Sequence, residues 1–242
     1  MGKGVEVGPF CIVGENVKIG ARTVLLSNVV INGYTSIGED CRLYPFTSIG
    51  MASQDRKYQG EQAFTAIGDR TTIREYVSVH RATGEGEVTS IGDDCLLLAY
   101  THIAHNCRIG NDVTMSNLAQ LAGHVIVEGH ATVGAMVGVH QFVRVGAYSM
   151  LGGGALVTRD VPPYFLVDGD PVRAYGLNTV GLRRAQFPSE TLAELKECYK
   201  LMYRSGRNLS QALTAIKEIV KTEEGHRLVA FIEAPSERGI VK

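Results

Sequence analysis

The stretch Ile103-Ala-His-Asn-Cys-Arg-Ile-Gly-Asn-Asp-Val-Thr-Met-Ser-Asn-Leu-Ala-Gln-Leu-Ala-Gly-His-Val-Ile-Val127 carries a large apolar residue at every sixth position: Ile103, Ile109, Met115, Leu121 and Val127. A period of six is neither the 3.6 of a helix nor the simple alternation of a strand. It fits a short flat strand followed by a tight turn, with three such units closing one coil of a prism. Working outward, the same frame runs back through Ile91, through Ile67, Ile73 and Val79, and through Val7, Val13, Ile19, Leu25, Ile31, Ile37, Leu43 and Ile49. It runs forward through Val133, Val139, Val145, Leu151 and Val157. Repetition on this scale predicts an all-β solenoid.

In that frame the aliphatic opener of each unit points inward, with a small residue four positions later beside it, as at Thr23, Val29, Thr35, Thr47, Val113, Ala119, Val125 and Ala131. Glycine, frequent at the second position, is expected there to supply a turn with positive φ. Coils stack at strand spacing, so stability is a sum over neighbours and both ends need caps. Cys11, Cys41, Cys95 and Cys107 each fall four residues after an opener and are predicted to be inward and inert. Spread along the axis, they form neither a zinc cluster nor a disulfide set. Cys198 is predicted to pack in a helix.

Two interruptions break the frame. The first, near 51–66, is polar and charged and is expected as an extended loop over the prism; long loops in compact domains are often functional. The second, near 81–90, is shorter and acidic, and nothing in it points to a role. The prism is expected over 1–165, an irregular connector over 166–185, and a C-terminal α-helical domain over 186–242. There, Ser189 reads as an N-cap, and Leu192, Leu195, Tyr199, Met202 and Tyr203 form an apolar stripe ended by Gly206. Further helices are expected over 210–222 and 224–233, and the three together suit a cap on the last coil.

Composition bounds the function. The chain has 242 residues, 45% of them hydrophobic, and a formal net charge of -1, which suits one large domain with an appendage rather than a nucleic-acid binder. No apolar run reaches the roughly 20 residues of a membrane span. The first residues show neither a signal-peptide core nor the myristoylation pattern, so a cytoplasmic location is expected.

Three of the seven histidines, His102, His105 and His124, lie in one short span. Residues one coil apart sit one above the other at roughly 4.8 Å. His105 plus 18 is Gly123 and plus 36 is Gln141, with His124 and His140 alongside. Gly123 leaves room above the His105 ring and offers an unobstructed N–H. A base with an amide donor one step above it is what acyl transfer needs, one to take a proton and one to hold an oxyanion.

Thr101-His-Ile-Ala-His-Asn-Cys, Gln54-Asp-Arg-Lys-Tyr, Leu121-Ala-Gly-His-Val, Val139-His-Gln-Phe, Asp160-Val-Pro-Pro-Tyr, Gly176-Leu-Asn and Tyr203-Arg-Ser-Gly together resemble, in order and over nearly the whole chain, the UDP-N-acetylglucosamine O-acyltransferase family, whose members begin lipid A synthesis. The resemblance implies a left-handed parallel β-helix of hexapeptide repeats, an exception to right-handed crossovers. It also implies a homotrimer with sites between subunits, and transfer of a (R)-3-hydroxyacyl chain from acyl carrier protein, where phosphopantetheine holds it, to UDP-N-acetylglucosamine. No metal, no separate cofactor and no covalent acyl-enzyme are implied. By the same resemblance His105 is the general base and Gly123 N–H the oxyanion donor. Gln54, Asp55, Lys57, His102, His124, His140, Gln141, Asn178 and Arg184 are substrate contacts, and Gly153 is the acyl-chain ruler.

Three departures stand out. Asn106 follows the base where the family usually has Asp, which removes a charge behind the imidazolium. Val180 stands where the family often has Glu, which removes a uridine-side hydrogen bond. The chain also starts inside the repeat, about a coil early, as if truncated or covered differently. Two enzymes on the same prism are alternatives: a γ-class carbonic anhydrase, whose zinc ligands are more widely spaced, and the pathway's N-acyltransferase, which carries an extra N-terminal domain. A non-catalytic scaffold is a third. Arg144, Arg159, Arg173, Arg183 and Arg184 suit a basic strip for an acidic carrier.

Overall fold

The computed structural model describes residues 1–242. Two- to four-residue strands wind into three parallel sheets that form the faces of a left-handed parallel β-helix. Each coil visits a first, a second and a third face in turn, as in Leu96–Leu97, His102–Ile103 and Arg108–Ile109. Openers stack in register, so Val79, Ile103, Leu121, Val139 and Val157 form one column of the second face. These columns merge into a single core of 36 buried residues. Each buried aliphatic side chain contributes about 1.5–3 kcal/mol, and its neighbours along the strand point out, which is why a two-residue strand suffices.

The small inward residues share a second device. Thr23 and Thr71 donate their hydroxyls to Gly38 O at 2.8 Å and Gly92 O at 3.0 Å in the next coil. Cys41, Cys95 and Cys107 direct their thiols to the equivalent carbonyls at 3.0–3.2 Å. Burial pushes Cys95 up to about 11 and Cys107 up to about 12, as expected of inert thiols. Cys11, in the first coil, is only half-buried.

The glycine expectation needs correction. Positive φ falls at the fourth position of each unit, not the second, and there it is held mostly by other residues, among them Asp94, Tyr100, Asn106, Leu118, His124 and Met136, at φ 57° to 65°. That conformation costs an L-residue roughly 1–2 kcal/mol. The cost is offset because it turns the N–H toward the preceding coil, as in His124 N–H to His105 O (3.0 Å) and Met136 N–H to Asn117 O (2.9 Å). Second-position glycine answers instead to crowding between coils: a Cβ on Gly110 would stand 2.6 Å from the Gly129 nitrogen.

The connector is more regular than expected. Phe165–Asp168 adds a parallel strand to the first face, and Arg173–Leu177 returns antiparallel beside it. Helix α1 (Thr179–Arg184) follows, then α2 (Ser189–Tyr203), α3 (Leu209–Ile219) and α4 (Glu223–Glu233). Ser189 is the first helical residue, and the N-cap position falls to Pro188, with no side-chain cap. Tyr164, Phe165, Leu182, Leu195, Cys198, Tyr199 and Ile216 belong to a second core at the end of the prism. Fully buried Asp160 ties the two parts together: it accepts from Arg144 Nε (2.7 Å) and Arg144 N–H (2.8 Å), while its backbone bonds Gly239 and Val241. Arg144, which also stacks on Phe231, is therefore a structural residue and not part of a docking strip.

Candidate active site

Both interruptions leave the prism at the same corner, between second and third faces, in successive coils. Loop 52–63 follows the strand Ser48–Met51 and loop 81–87 follows Ser78–His80; the next strands begin at Phe64 and Val88, inside the segments expected as loop. The following coil places His105 at that corner. The loops are laced together by Ser53 Oγ to Thr83 Oγ1 (2.7 Å), Gly84 N–H to Glu61 Oε1 (2.7 Å) and Gly86 N–H to Gln62 O (2.9 Å). Loop 52–63 thereby folds back over the corner and brings Asp55 Oδ2 to 3.9 Å from His105 Nε2.

His105 is buried, 9% exposed, with its Nδ1 3.0 Å from Asn106 Oδ1. The edge of its ring meets His124 with centroids 5.2 Å apart, and His124 stacks on Phe142 at 4.8 Å. Gly123 has no positive φ; it is glycine for space, since a Cβ would stand 2.5 Å from His105 Cε1 and nearer still to Nε2. At the corner between third and first faces, some third-position N–H groups are capped from the next or the preceding coil, as Asp69 by Asp93 (2.8 Å) and Ala147 by Glu128 (3.0 Å), while others, such as Asn111, are free. Gly123 N–H occupies the same position in its unit and makes no hydrogen bond within the chain.

Gln54, Asp55, His102, His105, Gly123 and His140 line one open cleft of about 410 Å³, whose floor is the outer side of the second face: Ala104, Gln120, Ala122, Gly138 and Leu156. His102 Nδ1 is 2.8 Å from Ser78 Oγ, and its ring meets His80 edge-on at 5.0 Å. Burial first, and then the neighbouring His80 and His105, hold His102 down at about 4, so it is neutral near pH 7. Burial likewise lowers His124 and His80. His140 Nδ1 donates to Gln141 O at 3.2 Å, the same oxygen that takes Arg238 Nε at 2.7 Å.

The remaining candidates lie off the cleft. His124 and Gln141 flank it. Lys57 lines a recess with Gln59, Glu61, Thr83 and Glu85 on the loops. Asn178 is the N-cap of α1, accepting from Gly181 N–H (3.1 Å) and donating to Tyr148 O (2.9 Å), while Arg184 is exposed in its last turn. Gly153 sits on the other edge of the second face, with a notional Cβ 3.3 Å from Ala135 O. Arg159 and Arg173 share a pocket with Asp170 and Lys242. Sequence reasoning missed Ser53 and Thr83 altogether. The signal was available in the arithmetic, because Ser48, Ser78 and His102 are column neighbours 30 and 24 residues apart instead of 18, which puts both insertions at one corner.

Known proteins resemble the chain throughout. A model described as UDP N-acetylglucosamine O-acyltransferase, domain 2, matches residues 160–241, and the bacterial transferase hexapeptide model matches 1–33 and 89–123. The acyl-[acyl-carrier-protein]--UDP-N-acetylglucosamine O-acyltransferase of Paraburkholderia phymatum is 44% identical over 99% of this chain and 94% of its own length. That of Verminephrobacter eiseniae is 46% identical over 75% and 70%. The crystal structure of UDP-N-acetylglucosamine O-acyltransferase from Moraxella catarrhalis superposes with a TM-score of 0.94 at 41% identity, covering 99% of this chain and 93% of that one.

Proposed function

The chain belongs to the UDP-N-acetylglucosamine O-acyltransferase family, and from that premise we propose how its residues carry the reaction. The enzyme transfers a (R)-3-hydroxyacyl chain from acyl carrier protein to the glucosamine 3-hydroxyl of UDP-N-acetylglucosamine, the first step of lipid A biosynthesis. The donor acyl group arrives as a thioester on the carrier's phosphopantetheine, and no other cofactor takes part.

His105 Nε2 removes the proton of the 3-hydroxyl as its oxygen attacks the thioester carbon. The carbonyl becomes a tetrahedral oxyanion that accepts from Gly123 N–H, and removing one such donor commonly costs on the order of 10²-fold in turnover. Collapse breaks the C–S bond, and the His105 imidazolium returns its proton to the departing thiolate, leaving ester and thiol. The observation that carries this reading is the unbonded N–H of Gly123, the residue whose Cα packs against the His105 ring so closely that a Cβ would strike it. Gln54, Asp55, His102 and His140, around the same cleft, hold the sugar and the donor. Lys57, His124, Gln141, Asn178 and Arg184 complete the nucleotide and acyl contacts, with cationic groups suited to phosphate.

The assembly is a homotrimer. In its favour, the corner between first and second faces exposes a column of apolar side chains, Phe10, Phe46, Tyr76, Tyr100, Leu118 and Met136, each at least 45% exposed. A second copy covering this column would wall the cleft. No helix is long and apolar enough to cross a membrane, and we place the reaction in the cytoplasm on the chemistry of its two substrates, a charged nucleotide sugar and an acyl chain held on a carrier protein.

Gly153 sets the chain length. With no side chain there, the groove accepts a long tail, and each buried methylene contributes about 0.8 kcal/mol. Mass spectrometry of the product formed from a mixed acyl-carrier pool should show long (R)-3-hydroxyacyl chains, shifting to shorter ones in Gly153→Met. An active variant with unchanged donor choice would place the end of the tail elsewhere, and a product lacking the nucleotide sugar would overturn the assignment of acceptor.

A further inference from the structure

The geometry points to Asn106 and Thr83 as a clamp that fixes which nitrogen of His105 carries its proton and ties that ring to the loop bearing Asp55. The inference rests on His105 being the base. Asn106 Oδ1 takes Thr83 N–H at 2.9 Å, and Asn106 Nδ2 gives to Thr83 O at 3.1 Å. A backbone N–H only donates and a carbonyl only accepts, so the amide cannot be flipped. Oδ1, 3.0 Å from His105 Nδ1, is an acceptor, and Nδ1 must supply the hydrogen. Neutral His105 therefore presents a bare Nε2 lone pair on the side of Asp55 and Gly123, the state a general base needs.

The clamp is itself anchored. Asn106 sits at φ 59°, with its own N–H on Thr89 Oγ1 at 2.8 Å. Thr83 Oγ1 meets Ser53 Oγ at 2.7 Å, and Ser53 Oγ takes Asp55 N–H at 3.1 Å. One run of hydrogen bonds thus joins the base to the backbone of Asp55 in the other insertion. Because Asn106 is neutral, the charge that grows on the imidazole during proton transfer is faced by one anion, Asp55 at 3.9 Å. The other titratable groups against the ring, His80, His102 and His124, supply no negative charge. Asn106 and Thr83 are positioning residues, acting through His105.

The test uses full-length protein with 15N-labelled histidine rings. Wild type should show His105 protonated at Nδ1 and bare at Nε2; a proton on Nε2 would overturn the clamp, whether or not any variant folds. Asn106→Ala should mix the two tautomers and lower kcat on the order of 10²-fold, the loss typical of a small misplacement. Asn106→Asp keeps an acceptor but adds a charge beside Nδ1–H. It favours imidazolium, so the acid limb of kcat/KM should move up by roughly one pH unit or more. A merely structural Asn106 would lower thermal stability and leave ring signals and acid limb where they were, which would also sink the idea. Inactive His105→Ala with indifferent Asn106 variants defeats the clamp alone, whereas active His105→Ala defeats the assignment of the base.

Discussion

Two corners of the prism share one backbone and present opposite surfaces. Where the second face turns to the third, successive coils offer His105, Gly123, Asn106 and His124, polar groups sheltered by two insertions. Where the first face turns to the second, the same left-handed turn offers Phe46, Tyr76 and Tyr100, bare and stacked face to face with centroids 5.0 and 4.7 Å apart. Strand length, register and turn φ do not distinguish them. In a solenoid each coil touches only its neighbours, so side chains can be rewritten along one edge without disturbing the others. On the function proposed above, chemistry belongs to one edge and adhesion to another.

The sharpest break of that contrast is His105→Ala, expected to lower turnover roughly 10²- to 10⁴-fold with unchanged circular dichroism. Near wild-type activity would move the chemistry to another edge. Gly123→Ala comes next. The backbone tolerates alanine, but the new methyl evicts the imidazole, and a loss on the order of 10²-fold is expected. Unaltered kcat would mean that the ring has room to step aside. On the other edge, Tyr76→Ser with Tyr100→Ser should raise the concentration at which sedimentation detects trimer by roughly tenfold or more, since buried aromatics anchor interfaces. If assembly is indifferent, that edge faces solvent.

The smallest effect is on pH dependence. His102 is held at about 4 when folded, against about 6.5 unfolded. As pH falls, the unfolded state binds the proton first. The stability from keeping this ring neutral is whole above about pH 6.5 and is lost progressively on the way down to about 4. His102→Gln should flatten thermal denaturation midpoints across that window, and an identical slope in both proteins would show the folded ring to be freely solvated.

The prism was legible because a period of six has one solution that buries its openers, all but those that start the first coil, such as exposed Val7, and the cysteines beyond Cys11 followed from the same frame. Two of the three long tail helices were legible to within a residue or two at each end, because their apolar stripes face one core. Other features were closed to pattern reading. Glycine marked crowding between Gly110 and Gly129, residues far apart in sequence, while turn strain fell on side chains as unlike as Leu118 and His124. The strands at Phe165–Asp168 and Arg173–Leu177 are defined by their partners. Asn178 reads as a ligand from its motif, yet both its polar atoms are engaged at a helix start. Of the site, the column of His105 and Gly123 could be counted out. The lacing of Ser53, Thr83 and Asn106 could not, since hydrogen bonds between loops follow no period.

The left-handed turns also bear on what each edge of the prism touches. For the backbone alone, Asn, Asp or Gly is the cheapest occupant of the fourth position. The edge between third and first faces keeps to that at Asp40, Asp94 and Asp112, beside the charged or polar-tipped Arg22, Arg70, His130 and Tyr148; the aromatic edge does so only at Asn28 and Gly154, placing Phe10, Phe46, Tyr76, Tyr100, Leu118 and Met136 on the same strained turn. Each bulky apolar residue on such a turn costs roughly 1–2 kcal/mol, so their concentration on one edge implies that a contact made there offsets the strain. In other hexapeptide prisms, tabulating the fourth position by edge should reveal the contacted side from sequence alone.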